Sequence, residues 1–463
     1  MFSAEPNKPN DNMLIASHRR FVAAGSIPTR REGRIRGVPT LLLTTMAAFL
    51  LSSLYQVQFF GYNLSGWLWV GILIVAVVAL ALNPTRVSFP YLLWLPWVIY
   101  SASRIQDWSL LGAQSTVQIL LPVLVAASAS TVTFSTEFFE SLDRWMRYSF
   151  IGVVFLFVFV ALPWALSDVS NSGWITSGII SLFFQSYFLC SYLLSGYRKP
   201  DLICAVIAGC IPVTLTLRGP ILGACALWTF VLAPLPLWRR GIISIGVIVL
   251  GLVVFYSPRV QTKMFYTGEG SLLDLRTDNP NLNTSGRSSM VASLEQGLDD
   301  SVWIGHGANS AGQVVLGAGA PTHELHNDWL RIRYNSGLVG VVIFAASVVA
   351  GVVHLLWSAR GASHQSKFLA CTGATCFIPF VIVMFTDNLI VYCYNYTVPH
   401  FVLIGYAYAS LRDSVEKGVI VPPPALFNQR NMGRLRLVSG SRHISNALSK
   451  RIGRVGQASV RIP

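Results

Sequence analysis

Charge is scarce in this sequence. Asp, Glu, Lys and Arg make up 12% of its 463 residues, about half of the ~25% usual in soluble domains. Hydrophobic residues reach 53%. The first number excludes a soluble globular domain of ordinary type. The two together exclude a disordered chain, which combines low hydrophobicity with high charge. A cysteine framework is also missing. Cys190, Cys204, Cys210, Cys225, Cys371, Cys376 and Cys393 lie in apolar runs or at their edges. Their spacing fits neither a disulfide scaffold nor a zinc ribbon, so they read as small buried hydrophobes. The first 39 residues are mostly polar and do not read as a secretory signal.

What the sequence does have is apolar length. Crossing ~30 Å of hydrocarbon takes roughly 17–25 apolar residues. Runs of that kind fall near 40–56, 64–82, 87–103, 109–128, 148–166, 174–195, 201–217, 220–237, 241–257, 336–357, 367–386 and 389–411. The third contains Pro90 and Pro96 and is the weakest. The expected fold is therefore all-α and integral to a membrane, with about twelve spans. Residues 1–39 form a basic cytoplasmic tail, 40–257 hold spans one to nine, 258–335 form one large outer loop, 336–411 hold the last three spans, and 412–463 form a second basic cytoplasmic tail. With both termini inside, 26 of the 34 Lys and Arg fall on the cytoplasmic side. A one-span error would scramble that split. The net charge of +14 is then topology and contact with anionic membrane lipid. It calls for no nucleic acid.

Mid-span charge is missing too. All 54 formal charges sit in loops, tails or span ends, where transporters and channels place ionisable groups inside the bilayer. No repeat of one half in the other is visible, although transporter folds often show one. Chemistry is thus expected at the outer face, in the long loop. Met290, Val291, Leu294 and Leu298 share one face of an expected helix capped by Ser285, suited to lie on the membrane surface; Gly305-His306-Gly307 ends it in a turn. The loop closes with His323-Glu324-Leu325-His326-Asn327. From 325 onward one continuous helix is expected, with His326, Leu330, Arg333, Gly337 and Gly340 on one stripe. Gly337 and Gly340 would admit a neighbouring helix. A histidine at a helix N-terminus is favoured in its neutral, proton-accepting form.

These residues carry a resemblance. His326-Asn327, followed after nine residues by Gly337 and then by Gly340, resembles the signature of the O-antigen ligase/polymerase superfamily. Thr216-Leu217-Arg218-Gly219 is similar to that family's Ser-Arg-Gly segment, with Leu217 where a Ser is common. Gly286-Arg287 followed by Trp303-Ile304-Gly305-His306-Gly307 resembles its loop pattern, with Trp303 departing from a common Pro. The resemblance covers roughly 200–410 and the twelve-span layout. It implies a fold like the membrane glycosyltransferases of the GT-C class. It also implies transfer of an undecaprenyl-diphosphate-linked oligosaccharide to a glycan or lipid A–core hydroxyl at the periplasmic face of a bacterial inner membrane, without metal, cofactor or nucleotide sugar. Flippases and chain-length or export proteins are its implied partners.

The chemistry agrees with the residue types. A departing diphosphate develops charge that guanidinium groups stabilise, which makes Arg218 and Arg287 candidates. An accepting hydroxyl needs a proton acceptor within hydrogen-bond reach, which makes His326 the candidate. Arg331, Arg333, His323 and Asn327 stand in a second line. Each has a plainer reading. Outer-face arginines also snorkel to headgroups, and Arg287 also reads as a surface helix residue. His306 and His323 read as structural. His-Glu-Leu-His is not the His-Glu-x-x-His zinc pattern. Asp387-Asn388 and Tyr394-Asn395-Tyr396 read either as cavity lining or as an interfacial turn. Trp94, Trp97 and Trp108 read as interfacial belt, and His354 and His400 as satisfied within the bundle. Two functions fit the shared motifs, a polymerase of exopolysaccharide or O-antigen repeat units and a ligase to lipid A–core; the polymerase is preferred. A lipid-linked glycan flippase and a non-catalytic scaffold are the alternatives from other classes.

Overall fold

The computed structural model describes residues 41, 44, 45, 47, 58–59, 62–105, 110–163, 175–231, 236–276, 279–284, 287–318, 325–390 and 393–416. Apart from two-residue strands β1 (Gln58–Phe59) and β2 (Tyr62–Asn63), paired antiparallel, its regular structure is helical. In chain order the helices are α1 Leu64–Leu82, α2 Leu95–Ser103, α3 Leu110–Ala129, α4 Thr136–Leu156, α5 Ile175–Leu194, α6 Lys199–Thr214, α7 Arg218–Val231, α8 Leu237–Phe255, α9 Pro258–Met264, α10 Arg287–Asp300, α11 Ser310–Gly317, α12 Asp328–Ser358, α13 His364–Thr375, α14 Phe377–Val383 and α15 Thr397–Glu416.

Four described helical segments are long and apolar enough to cross a membrane: Thr136–Ala161, Leu237–Phe255, Asp328–Ser358 and His364–Val383. Shorter apolar helices occupy Trp67–Leu82, Gln114–Ala129 and Gly178–Leu194. The Pro-rich third run gives a single 3-10 turn at Tyr91–Leu93 and the nine-residue α2, because its prolines lack the N–H that a continuous ladder needs. The first run, 40–56, lies almost wholly outside the described residues, as do Trp108 and Ser285.

The centre of the bundle is α15, buried at every position from Thr397 to Leu411. It packs on α3 and α13. A Cβ on Gly405 would lie 2.5 Å from the Ala126 carbonyl and 2.5 Å from the Ala129 Cβ, so the glycine lets α3 come close. In an apolar solvent such packing, more than hydrophobic drive, holds helices together. Trp94 and Trp97 are buried here, correcting the belt reading. Trp94 stacks on Phe377 and meets Phe401 edge-on, and Trp97 tilts on Phe344. The cysteines divide: Cys190, Cys376 and Cys393 are buried, while Cys210 is exposed.

Two polar clamps tie the bundle. Arg147 of α4 pairs with Asp143 at 2.9 Å and with the buried Asp201 of α6 at 2.8 Å, and the Tyr187 hydroxyl donates to Asp143. Helix α4 thus begins twelve residues before the expected span, with these charges inside it. At the end of α15, Arg412 donates to the carbonyls of Arg86, Ser130 (2.8 Å) and Val132 (2.6 Å). Asp413 accepts from the Phe134 amide at 2.6 Å.

Candidate active site

The continuous helix expected from residue 325 is replaced by two helices meeting at a kink. Asn327 is the N-cap of α12: its side-chain oxygen accepts from the Leu330 amide at 2.9 Å. That bond occupies one of the orphan donors of the first turn. It also commits the Asn327 side chain to the backbone. His326 therefore precedes the helix and takes φ 42°, a left-handed conformation that is rare for a residue with a Cβ. Farther on, Gly337 has φ 65° and ψ −172° inside the helix. The stripe expected from His326 to Gly340 is broken there.

The kink has a partner. The turn Gly305-His306-Gly307 lies against it, with the His306 amide donating to Tyr334 O at 2.9 Å and the Gly307 amide to Asn335 O at 2.8 Å. Leu338 and Val339 return bonds to Val302 and Trp303 carbonyls at 2.9 and 3.1 Å. A Cβ on Gly305 would lie within 2.6 Å of the Asn335–Gly337 backbone, and one on Gly337 would strike the Trp303 carbonyl. The backbone of a loop, rather than another helix, is what Gly337 admits. Gly340 does face a helix: a Cβ there would lie 3.1 Å from the Tyr100 ring of α2. Arg104 secures the turn from below, donating to Gly305 O at 3.0 Å and accepting from the Ala308 amide at 2.7 Å. His306 is structural: it stacks on Tyr334, with its Nε2 against Gly297 O.

The apolar face of α10 is spent in the same place. Met290 and Leu294 pack with Ala311, Val315, Leu325 and Tyr334 in a small core of their own. Expected to lie on a membrane, that face instead covers the start of α12. In the first half of the loop, the Ser271 hydroxyl and amide both bond Asp274 and hold its carboxyl below the ordinary range.

His326 faces the 384–388 turn, its Nδ1 3.4 Å from Asp387 Oδ1. Asp387 Oδ1 also accepts from the Asn388 amide at 2.9 Å. The adjacent Thr386 stands against Gly219, where a Cβ would land on its hydroxyl. So the Thr216–Gly219 segment and the His326 segment, far apart in sequence, meet one turn from two sides. Thr216 too has a positive φ, 53°, and turns the chain from α6 into α7. Arg218, half-buried, opens α7 and donates from Nη2 to Lys263 O at 2.7 Å.

The second-line residues separate. Arg331 is 9% exposed and donates from Nη2 to Asn388 Oδ1 at 3.4 Å, so it serves the protein interior. Arg333 is exposed. Arg287 is the first residue of α10, and His323 lies outside the described residues. Asp387 and Asn388 are buried, with side chains against His326 and Arg331. Asn395 is buried with both amide atoms lacking a hydrogen-bond partner among the described residues. His354 bonds the Tyr408 hydroxyl, and His400 bonds Gly373 O through Nε2, with Nδ1 lacking a partner among the described residues. Asp328, which follows Asn327 directly, is buried at the start of α12 and carries no motif of its own in the sequence. Its signal was a carboxylate in the first turn of an apolar helix.

Residues 203–345 match the family model described as O-antigen ligase. The match spans Arg218, Arg287, His326, Gly337 and Gly340, and it bears out the resemblance to the O-antigen ligase/polymerase superfamily. Together with the apolar helices it supports a membrane protein with a glycan-transfer function in O-antigen or polysaccharide assembly. No curated protein matches the chain.

Proposed function

Proceeding from residues 203–345 as a segment of that superfamily, we propose that the protein is a bacterial inner-membrane glycosyltransferase. It moves a whole glycan from undecaprenyl diphosphate to an acceptor hydroxyl at the periplasmic face, with twelve spans and both termini in the cytoplasm. The observation that carries this reading is the single turn, Thr386-Asp387, touched by Gly219 on one side and His326 on the other. The residue that follows Arg218 and the ring of His326 thus meet one turn, which supports placing a cation for the leaving group and a base for the incoming hydroxyl in the same region.

The roles follow from chemistry. With Nδ1–H donating to Asp387, Nε2 of His326 carries the lone pair and takes the proton of the acceptor hydroxyl. The freed oxygen bonds the anomeric carbon, and the bond from that carbon to the diphosphate breaks. Arg218 and Arg287 stabilise the charge that collects on the departing undecaprenyl diphosphate. The 3.4 Å separation of His326 and Asp387 is the looser geometry common before substrate closes a site. No step calls for a metal.

The preferred acceptor is a second repeat-unit chain, which makes the protein a polymerase. The ligase reading, with lipid A–core as acceptor, is favoured by the description of the matching family. The test is purified protein in detergent with a synthetic undecaprenyl-diphosphate repeat unit and EDTA, wild type beside His326→Ala. Lengthened glycan from wild type alone supports the polymerase. Donor consumed only once lipid A–core is added makes it a ligase. An inert wild type in both arms overturns the transferase reading in favour of transport or scaffolding.

A further inference from the structure

The turn that carries Asp387 is held by a residue that the transfer chemistry does not use. The Asp328 amide donates to Met384 O at 2.9 Å, and its Oδ2 accepts from the Ile390 amide at 2.8 Å. One residue therefore grips both ends of the segment 384–390. Between the grips sit Asp387, facing His326, and Asn388, bonded by Arg331 one helical turn after Asp328. The three side chains of the grip are buried: Asp328 and Asn388 are 0% exposed and Asp387 is 4% exposed.

Asp328 is also two residues from His326 in the chain. It is tied covalently to one member of the His326–Asp387 pair and by two hydrogen bonds to the segment that bears the other. Their separation is thus set through Asp328. Arg331, on the same helix face, sets the opposite charge near the buried carboxylate and steadies Asn388. We propose that Asp328 is a positioning residue of the candidate transfer site, with Arg331 as its support. This rests on the reading of His326 as the proton acceptor. The effect to expect is on turnover more than on binding, because a reacting group displaced by about 1 Å costs on the order of a hundredfold.

The grip needs an acceptor oxygen at residue 328 rather than a charge. Asparagine supplies one and alanine does not. Full-length wild type, Asp328→Ala and Asp328→Asn are compared in detergent on the undecaprenyl-diphosphate repeat unit. Hydrogen exchange of the 384–390 segment is followed by mass spectrometry. Asp328→Ala is expected to lower kcat by about tenfold to a hundredfold with KM within about twofold, and to speed exchange at 384–390 while α13 and α15 keep their protection. Asp328→Asn is expected to restore kcat to within about threefold and exchange to the wild-type rate. If Asp328→Ala does not fold, Asp328→Asn decides alone. Wild-type exchange with turnover retained supports the grip; wild-type exchange with turnover lost shows that charge, not position, is required, and overturns it. Unchanged kcat or unchanged exchange in Asp328→Ala overturns it as well. An active His326→Ala protein instead sinks the functional reading, while exchange at 384–390 still decides whether Asp328 holds the turn.

Discussion

A histidine at φ 42° sits in a region that costs on the order of 1–3 kcal/mol and persists only where neighbours over-determine it. Here the neighbours are Asn327, capping the helix behind it, and Asp387, in front of its ring. Replacing His326 by Ala should leave the fold intact and lower transfer by at least about a hundredfold, measured as glycan extension at equal protein. Asn327→Ala should cost about 1 kcal/mol of stability through the lost cap, read as a lower Tm. His326 stands out as a candidate in the sequence because its spacing to Gly337 and Gly340 forms a pattern within one stretch of chain. Asp387 was legible only as one of two open readings: it lies in an apolar run 61 residues away, and spacing along the chain says nothing of which turn folds back upon which helix. Arg331 looked like a phosphate ligand by residue type. In the fold it is buried and donates to Asn388.

At the scale of elements, the informative object is α12. Apolar periodicity runs through Gly337 without a break, so the sequence pattern reads as one helix; the positive φ depends on a loop that arrives from thirty residues upstream. Gly337→Ala places a Cβ on the Trp303 carbonyl at a φ that L residues rarely adopt. We expect a loss of about 3 kcal/mol or more, seen as a lowered Tm and as proteolytic nicking within 300–318. Gly340→Ala, which meets side-chain atoms of Ser336 and Tyr100 rather than a carbonyl and has no positive φ to strain, should lose less. The Arg412 clamp was equally invisible, since an arginine just past an apolar run reads as the start of a basic tail. Arg412→Ala leaves the Arg86, Ser130 and Val132 carbonyls without this donor and should cost about 1–3 kcal/mol, with transfer by the surviving folded fraction unchanged.

For the whole molecule, scarce charge and long apolar runs made the helical membrane class readable at once, because lipid leaves few other ways to satisfy a backbone. Helix ends were less readable. The charged first half of α4 joins a span because Asp143, Arg147 and Asp201 neutralise one another, a tertiary fact. The proposed twelve-span arrangement makes a direct prediction. Single cysteines placed at 270–284 should react with an impermeant maleimide from the periplasm of intact cells, and those at 20–36 or 430–455 only after lysis. The reverse result at either tail would overturn the topology.

Every residue of α8 is exposed or half-buried, and among the longer helices its main packing is on α7. Its 19 residues span about 28 Å, close to the ~30 Å of a bilayer core. Straight after it comes α9, whose Lys263 carbonyl holds the Arg218 guanidinium. Arg218, the cation proposed for the leaving group, is thus moored to a segment that follows a lipid-facing helix. A thinner or thicker bilayer tilts such a helix and draws its far end with it, so the rate of glycan transfer in reconstituted vesicles should pass through an optimum as lipid chains are lengthened.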